Sequence, residues 1–540
     1  MKRILLAILM AVSLNGTSQS KYFIAFADKN NSSYTTENPT DFLSPNAIAR
    51  RERQGIPVTT EDLPVNKTYI DAVTAQGATV KYALRWFNGV VAEIPSTTIA
   101  SSILGLDFVV SVTAIYEPSK QGAPLDDFDI SPAYHSKSTN ADRYNYGSAA
   151  QQIKMLNGHI LHNNGFTGKG ITIAVLDAGF RNVNTLSAFD SLRNSQRLVG
   201  TKDFVNPAAN IYLQHSHGTI VLSTMAGLMP NILVGTAPHA NYWLIRTEDT
   251  NSEQLVEEYN WAAGAEFADS IGADIINSSL GYTTFDVASQ NHTYSQLDGK
   301  TTPATRAANI AAKKGMVVVI SAGNDGDSPW RYISAPADAK GVLTIGATTS
   351  TGALANFSSV GPSADGRVKP DVSAMGYYTA VQNTDGSIGT ANGTSLSAPV
   401  ISGMVACLWQ AHREYTAMEI IDLIKANASL SQSPNNNLGY GIPNFASALS
   451  TNNITNLNKE GLTVYPNPFE STITLSLPSA SNNLVNVTVV ASNGQSLVNK
   501  WVYANNGKVE LNLPRKLVSG LYLINVTYGN TKISTKALKL

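Results

Sequence analysis

The spacing of apolar positions changes character along the chain, and each change marks a domain. Residues 22–26, 80–84, 87–94 and 108–116 are strand-like runs, and helical spacing over 65–75 and 97–104 separates them, with a further short helix expected at 45–54. The order strand, helix, strand, strand, helix, strand is that of a ferredoxin-like unit, predicted here for 21–118. Residues 119–149 are rich in Ser, Asp and Tyr through about 145 and show no period, so they read as an exposed linker where proteolytic cutting is easiest.

From 150 to 450 the pattern becomes one of short apolar runs (171–176, 242–245, 274–277, 316–320, 342–345) alternating with helical segments such as 253–271 and 304–314. This predicts a parallel sheet with helices on both faces. Ligand sites in such sheets lie at the carboxyl ends of the strands. After a polar linker at 451–461 the period falls to two: 472–477 and 508–513 alternate, and Asn493-Gly494 and Asn506-Gly507 are hairpin-turn pairs. Residues 462–540 are therefore expected to form a small antiparallel β-sandwich.

Composition narrows the class without naming a chemistry. With 43% hydrophobic and 14% charged residues over 540 positions, the chain is folded and multidomain. A formal net charge of −1 offers nothing for nucleic acid or an anionic membrane. Cys407 is the single cysteine, which excludes an intramolecular disulfide and zinc sites built on cysteine pairs. It lies in the apolar run Val405-Ala406-Cys407-Leu408-Trp409 and reads as core. Lys2 and Arg3, the apolar stretch 4–14 and the small residues Ser18 and Ser20 make residues 1–20 an export signal, cut after Ser20. Eleven apolar residues are too few to span a bilayer as a helix, and no later segment is long and apolar enough.

Three motifs fall where this fold puts functional groups. Val175-Leu176-Asp177-Ala178-Gly179 ends a buried strand with a carboxylate, His217-Gly218-Thr219 opens a helix, and Gly393-Thr394-Ser395-Leu396-Ser397-Ala398-Pro399 opens another. Acyl transfer needs these parts: a serine hydroxyl, a histidine to take its proton, and a buried carboxylate to fix the imidazole tautomer. The oxyanion needs donors already in place, which the Ser395 N–H and the Asn324 amide of Ile320-Ser321-Ala322-Gly323-Asn324 would supply.

The four motifs in this order, with 40 residues from Asp177 to His217 and 178 from His217 to Ser395, resemble the subtilase family of serine peptidases. The resemblance implies a catalytic triad of Asp177, His217 and Ser395 with Asn324 in the oxyanion hole. It also implies that Ser279-Leu280-Gly281 binds substrate as an added strand and that Ser321-Ala322-Gly323 forms the opposite wall of a specificity pocket. Two departures, Ile220 after His-Gly-Thr and Leu396-Ser397 after Gly-Thr-Ser, leave every reacting group in place. No compact Asp-rich run is found, so no metal site and no cofactor are expected.

Residues 21–118 resemble the family's inhibitory prodomain, which implies that the chain's own N-terminal segment is an intramolecular inhibitor. Val464-Tyr465-Pro466-Asn467-Pro468-Phe469, Ser519-Gly520-Leu521-Tyr522-Leu523-Ile524 and the basic end Lys532, Lys536, Lys539 resemble a type IX secretion sorting domain. That resemblance implies export by a Gram-negative bacterium and a secretion machinery as partner. The implied function is a secreted serine endopeptidase acting on proteins or peptides.

The plainer readings are that Asp177 forms a turn, His217 or Ser395 merely caps a helix, and Asn324 belongs to an Asn-Asp-Gly turn; their joint order argues against each. His215 is a rival base, and His159, His162, His239 and His412 read as surface or packing residues. Leu280 and Tyr282 could be core. A degenerate relative kept as an adhesin or scaffold would not need all four reacting groups. A lipase-like hydrolase would want Gly-x-Ser-x-Gly and the order Ser, Asp, His.

Overall fold

The computed structural model describes residues 19–118, 128–132, 142–451, 462–477, 484–491, 495–505, 507–514, 517–528 and 531–539. The export signal up to residue 18, most of the 119–149 linker, residues 452–461, the Asn493-Gly494 turn and Asn506 lie outside the described residues. The chain divides into two compact units, before and after residue 450.

The first unit opens with the predicted α/β module. Its elements are β1 (Lys21–Phe26), α1 (Pro45–Gln54), α2 (Lys67–Ala75), β2 (Thr79–Leu84), β3 (Gly89–Glu93), α3 (Thr97–Leu104) and β4 (Val109–Tyr116). The antiparallel sheet has the order β2-β3-β1-β4, the ferredoxin-like arrangement. Helix α2 begins at Lys67 rather than 65 because the Asn66 side chain accepts the Thr68 N–H and caps it there. The strand expected from 87 starts at Gly89, since Asn88 turns the chain with φ +48° and donates from its amide to the Phe26 and Asp28 carbonyls.

Period-two alternation gives this sheet two apolar faces. Ile24, Phe26, Val90 and Ala92 pack with Val73 of α2 and Ile103 of α3. Phe23 and Val91 face the other way, into the core of the next module, where the Phe23 ring lies 4.8 Å from that of Tyr259.

Three arginines of the module meet one carboxylate beneath it. Asp269, fully buried, receives Arg50, Arg51 (2.7 Å) and Arg85 (2.6 Å). One helical turn earlier, Glu266 accepts the backbone N–H groups of Arg85 and Trp86, each at 2.9 Å. Burial pushes the Glu266 carboxyl from 4.5 up to about 7, against the pull of Arg85 and these donors. The raised value means that its contribution to the packed state is complete below about 4.5 and is lost as pH rises through about 7. The melting temperature of the intact chain is therefore expected to fall over that interval. Glu266→Gln should flatten this part of the pH profile; an unchanged slope in thermal melts would refute the assignment.

The remaining elements of the unit are β5 (Ser131–Pro132), α4 (Ala150–Lys154), α5 (Gly158–Asn163), β6 (Thr172–Asp177), α6 (Asp190–Asn194), β7 (Leu198–Asp203), α7 (His217–Ala226), the short hairpin β8 (Leu228–Met229) and β9 (Leu233–Val234), β10 (Asn241–Arg246) and α8 (Val256–Ser270). They continue with β11 (Ile275–Ser278), α9 (Pro303–Lys313), β12 (Val317–Ser321), β13 (Leu343–Thr348), β14 (Val372–Met375), β15 (Thr379–Gln382), β16 (Ile388–Ala391), α10 (Thr394–Ala411), α11 (Ala417–Ala426) and α12 (Phe445–Ser450).

Seven strands form one parallel sheet in the order β14-β13-β12-β11-β6-β10-β7. Its central strands β11, β12 and β13 are buried at every position, as a sheet covered on both faces requires. Helix α10 is buried from Thr394 to Trp409, so its sequence is apolar all round rather than amphipathic. Cys407 sits inside it, fully buried, and burial pushes its thiol well above the ordinary range, as an inert core residue.

The second unit carries β17 (Thr463–Tyr465), β18 (Thr472–Ser476), β19 (Leu484–Ala491), β20 (Ser496–Tyr503), β21 (Lys508–Asn512), β22 (Gly520–Tyr528) and β23 (Thr531–Lys539). They form two antiparallel sheets, β17-β18-β21 and β20-β19-β22-β23. Ile473, Leu475, Val509 and Leu511 of one share a core with Val485, Val487, Val489, Ile524 and Val526 of the other. Among the described residues, no helix is long and apolar enough to cross a membrane.

Candidate active site

Adjacent parallel strands end side by side, and the candidate residues follow from that. Asp177 is the last residue of β6, Ser279 follows β11 and Ser321 ends β12. His217 and Ser395 stand in the first turns of α7 and α10, whose opening N–H groups have no helical partner.

Asp177 is fully buried, and its Oδ1 accepts both the Ala178 N–H (2.7 Å) and His217 Nδ1 (2.7 Å). That bond places the Nδ1 proton between imidazole and carboxylate and leaves Nε2 free to act as base. The rival His215 accepts the His217 backbone N–H at its Nδ1 (3.2 Å), a bond that helps hold the helix start. The Ser395 hydroxyl points to the Ser279 carbonyl at 3.4 Å, while Ser279 Oγ donates to the Ser395 carbonyl at 2.9 Å. Among the described residues no hydrogen bond joins Ser395 Oγ to the imidazole.

Asn324 is oriented by its neighbours. Its Oδ1 accepts the Thr394 N–H (2.8 Å) and hydroxyl (2.9 Å), which leaves the amide NH₂ to donate toward the cleft. A Cβ on Gly393 would stand 3.6 Å from both Asn324 Nδ2 and the Ser395 N. The same point lies 3.5 Å from a Phe128 ring carbon, so two donors and an aromatic edge surround it.

His217, Asn324 and Ser395 line one cleft of about 380 Å³ together with Ser279, Leu280, Gly281, Ser321 and Gly323, while Asp177 is fully buried. Ala322, the remaining predicted wall residue, is fully buried behind it. Leu280 and Tyr282 are both buried, and both also line the cleft. Of the other histidines, His162 is fully buried between the Tyr146 hydroxyl and the Thr236 carbonyl, and His239 meets the Thr167 hydroxyl.

Sequence reasoning missed five contributors. Phe128 lies flat on the His217 ring, with centroids 4.8 Å apart and 11° between planes, and Asp129 is beside it in the cleft. The chain then runs on as β5, pairing antiparallel with β16 (Thr390↔Ser131). A polar stretch without a period gave no signal for this. Glu248 and Glu253 line the far end, where the Tyr282 hydroxyl donates to Glu248 at 3.0 Å. Burial, with Asp286 and Glu258 nearby, pushes Glu253 up to about 8, and burial raises Glu248 well above the ordinary carboxylate range. Ser334 is the fifth.

A parallel sheet with a carboxylate, an imidazole and a helix-start serine at its strand ends defines a serine hydrolase of subtilisin type. The family model described as Subtilase family matches residues 168–441, half of the chain, and the protein belongs to that family. Subtilisin NAT of Bacillus subtilis subsp. natto is 30% identical over 307 residues, covering 56% of this chain and 71% of that one. Subtilisin of Bacillus pumilus is 30% identical over 283 residues, 51% of this chain and 90% of that one.

Two further models match the flanks: a Peptidase S8 propeptide domain of Bacteroidota over 21–128, and a secretion system C-terminal sorting domain over 463–539. The protein is a secreted or cell-surface serine endopeptidase of a Gram-negative bacterium, made as a precursor.

Proposed function

We propose that hydrolysis runs through an acyl-enzyme on Ser395. His217 Nε2 takes the Ser395 proton as Oγ attacks the scissile carbonyl carbon, and the oxyanion collects the Asn324 amide and the Ser395 N–H. Collapse breaks the C–N bond, and His217 returns the proton to the leaving amine. Water then attacks the ester by the same proton route and frees Ser395. Asp177 is the positioning carboxylate. The observation that carries this reading is the 2.7 Å bond from His217 Nδ1 to a buried Asp177 at the end of the strand beside Ser279.

The substrate backbone is proposed to add to the edge at Ser279, Leu280 and Gly281, with Ser321 to Gly323 opposite. Residues 21–118 act as the intramolecular inhibitor, and Phe128 of the linker that follows them covers the base in the uncut chain. The 462–540 sandwich is read by the type IX secretion machinery, and the bonds cut in maturation fall in the two linkers.

Ser395→Ala is expected to abolish fluorophosphonate labelling of the purified chain and to leave the N-terminal segment attached if maturation is autocatalytic. Labelling that survives the substitution would move the nucleophile elsewhere.

A further inference from the structure

The N-terminal module is not the only part of the chain seated on the peptidase. Residues 128–132 follow it in sequence and are held by a different set of partners. Ser131 and Pro132 form β5, paired antiparallel with Thr390 and Gly389 of β16. Strand β16 leads through Asn392 and Gly393 into Ser395, so β5 runs along it away from the nucleophile.

Two apolar side chains seat this segment. Phe128 and Ile130, both half-buried, pack against the buried cluster of Ile220, Val381, Ala391 and Leu396. Gly389 gives Ile130 its room: a Cβ there would lie 2.2 Å from Ile130 Cγ2 and 2.9 Å from the Ser131 carbonyl oxygen. The Phe128 ring is thereby set flat on the His217 imidazole. Its edge also reaches the point beside Gly393 where the Asn324 amide and the Ser395 N meet.

All of these partners lie between residues 217 and 396. The module is held elsewhere, by Tyr259, Glu266 and Asp269 of α8. The chain leaves it at Glu117, whose backbone exchanges hydrogen bonds with the Gln254 side chain (2.7 and 3.0 Å). With two separate sets of contacts, release of the module does not by itself release the segment.

We propose that residues 128–132 are a second inhibitory element, a strap that stays seated on the cleft after the 21–118 module has gone. A cut before Phe128 makes the strap the new N-terminus, with its ring still on the base. Each substrate must then displace it, and a cut behind Pro132 removes that cost. This rests on Ser395 and His217 being the reacting pair. Burying a phenylalanine side chain shifts an equilibrium about tenfold to 10²-fold, and a strand of two residues adds little. The strap therefore slows the enzyme by that factor and yields to a ligand that competes for the cleft.

The test places a site for an unrelated, sequence-specific protease in the full chain, either directly before Phe128 or between Pro132 and Asp142. Both chains fold with the module present, are cut, and are separated from it, and mass spectrometry fixes each N-terminus. The readout is the rate of fluorophosphonate labelling at Ser395. The product that keeps the strap should be labelled about tenfold to 10²-fold more slowly than the product without it. Phe128→Ala and Ile130→Asn, made in the strapped product, should each bring its rate toward that of the strapless one. Equal rates for the two products, or a slow rate that neither substitution relieves, would overturn the proposal. Labelling of the strapless product that survives Ser395→Ala would instead remove the nucleophile assignment, and the proposal with it.

Discussion

Asp177→Asn is expected to lower kcat by about 10⁴-fold, the scale known for loss of the triad aspartate in serine peptidases. The geometry gives the reason. Asp177 Oδ1 holds two donors at once, the Ala178 N–H and His217 Nδ1. An asparagine with its oxygen in that place keeps both bonds but has no charge to stabilise the imidazolium. It also leaves an NH₂ where the buried Oδ2 now has no partner. An asparagine turned the other way donates to Nδ1, drives the ring proton onto Nε2 and removes the base from Ser395. Either orientation costs transition-state stabilisation, while Leu280, Gly281 and Gly323 are untouched, so KM should change little. A fall in kcat/KM carried by KM alone would contradict this role.

The parts of the fold visible in the sequence are those written by local periodicity. The runs at 171–176 and 242–245 become β6 and β10 because their apolar side chains must be covered on both faces of a sheet. Asp177 was legible only in order with the other motifs, because a lone carboxylate ending such a run ordinarily forms a turn. His217 and Ser395 followed from helix starts joined to glycine.

Other features depend on contacts between distant parts of the chain. Phe128 lies in a polar stretch and meets His217 only through the pairing of β5 with β16, more than 250 residues later. Ser334 reaches the cleft because Ala322 accepts its backbone N–H and Tyr282 pairs with Ala335 next to it, residues that follow two different strands. Glu248 and Glu253 precede and enter a helical stretch, where carboxylates are ordinarily a solvated face. Glu248 is instead buried with the Tyr282 hydroxyl on its carboxylate, and Glu253 is half-buried in the same cleft, a property of packing that no local pattern records.

Asp269→Ala is expected to weaken the hold of the N-terminal module on the peptidase about 10²- to 10⁴-fold. Removing one partner from a buried ionic cluster typically costs about 3–5 kcal/mol, because the remaining charges stay desolvated. Here three guanidiniums converge on that carboxylate, and Arg50 and Arg51 are each only 1% exposed. Burial already pulls Arg50 below its ordinary value with Asp269 present, so without it the cluster has every reason to separate. Arg51 keeps Asp62 at 3.0 Å, and Asp62 also holds Lys314 of the peptidase at 2.9 Å, so the cost falls on Arg50 and Arg85 while that second ion pair remains. The loss therefore falls on docking and leaves the module's own core of Ile24, Phe26, Val73 and Val90 intact. Mature enzyme carrying the substitution should retain its kcat, because Asp269 lies near the far end of α8 from the cleft residues Glu248 and Glu253. Its inhibition by the N-terminal segment added in trans should weaken by the stated factor, and Asp269→Asn should fall between the two. An inhibition constant equal to that of wild type would mean that other contacts, such as Phe23 with Tyr259 and Asp62 with Lys314, and not the arginine cluster, hold the inhibitor in place.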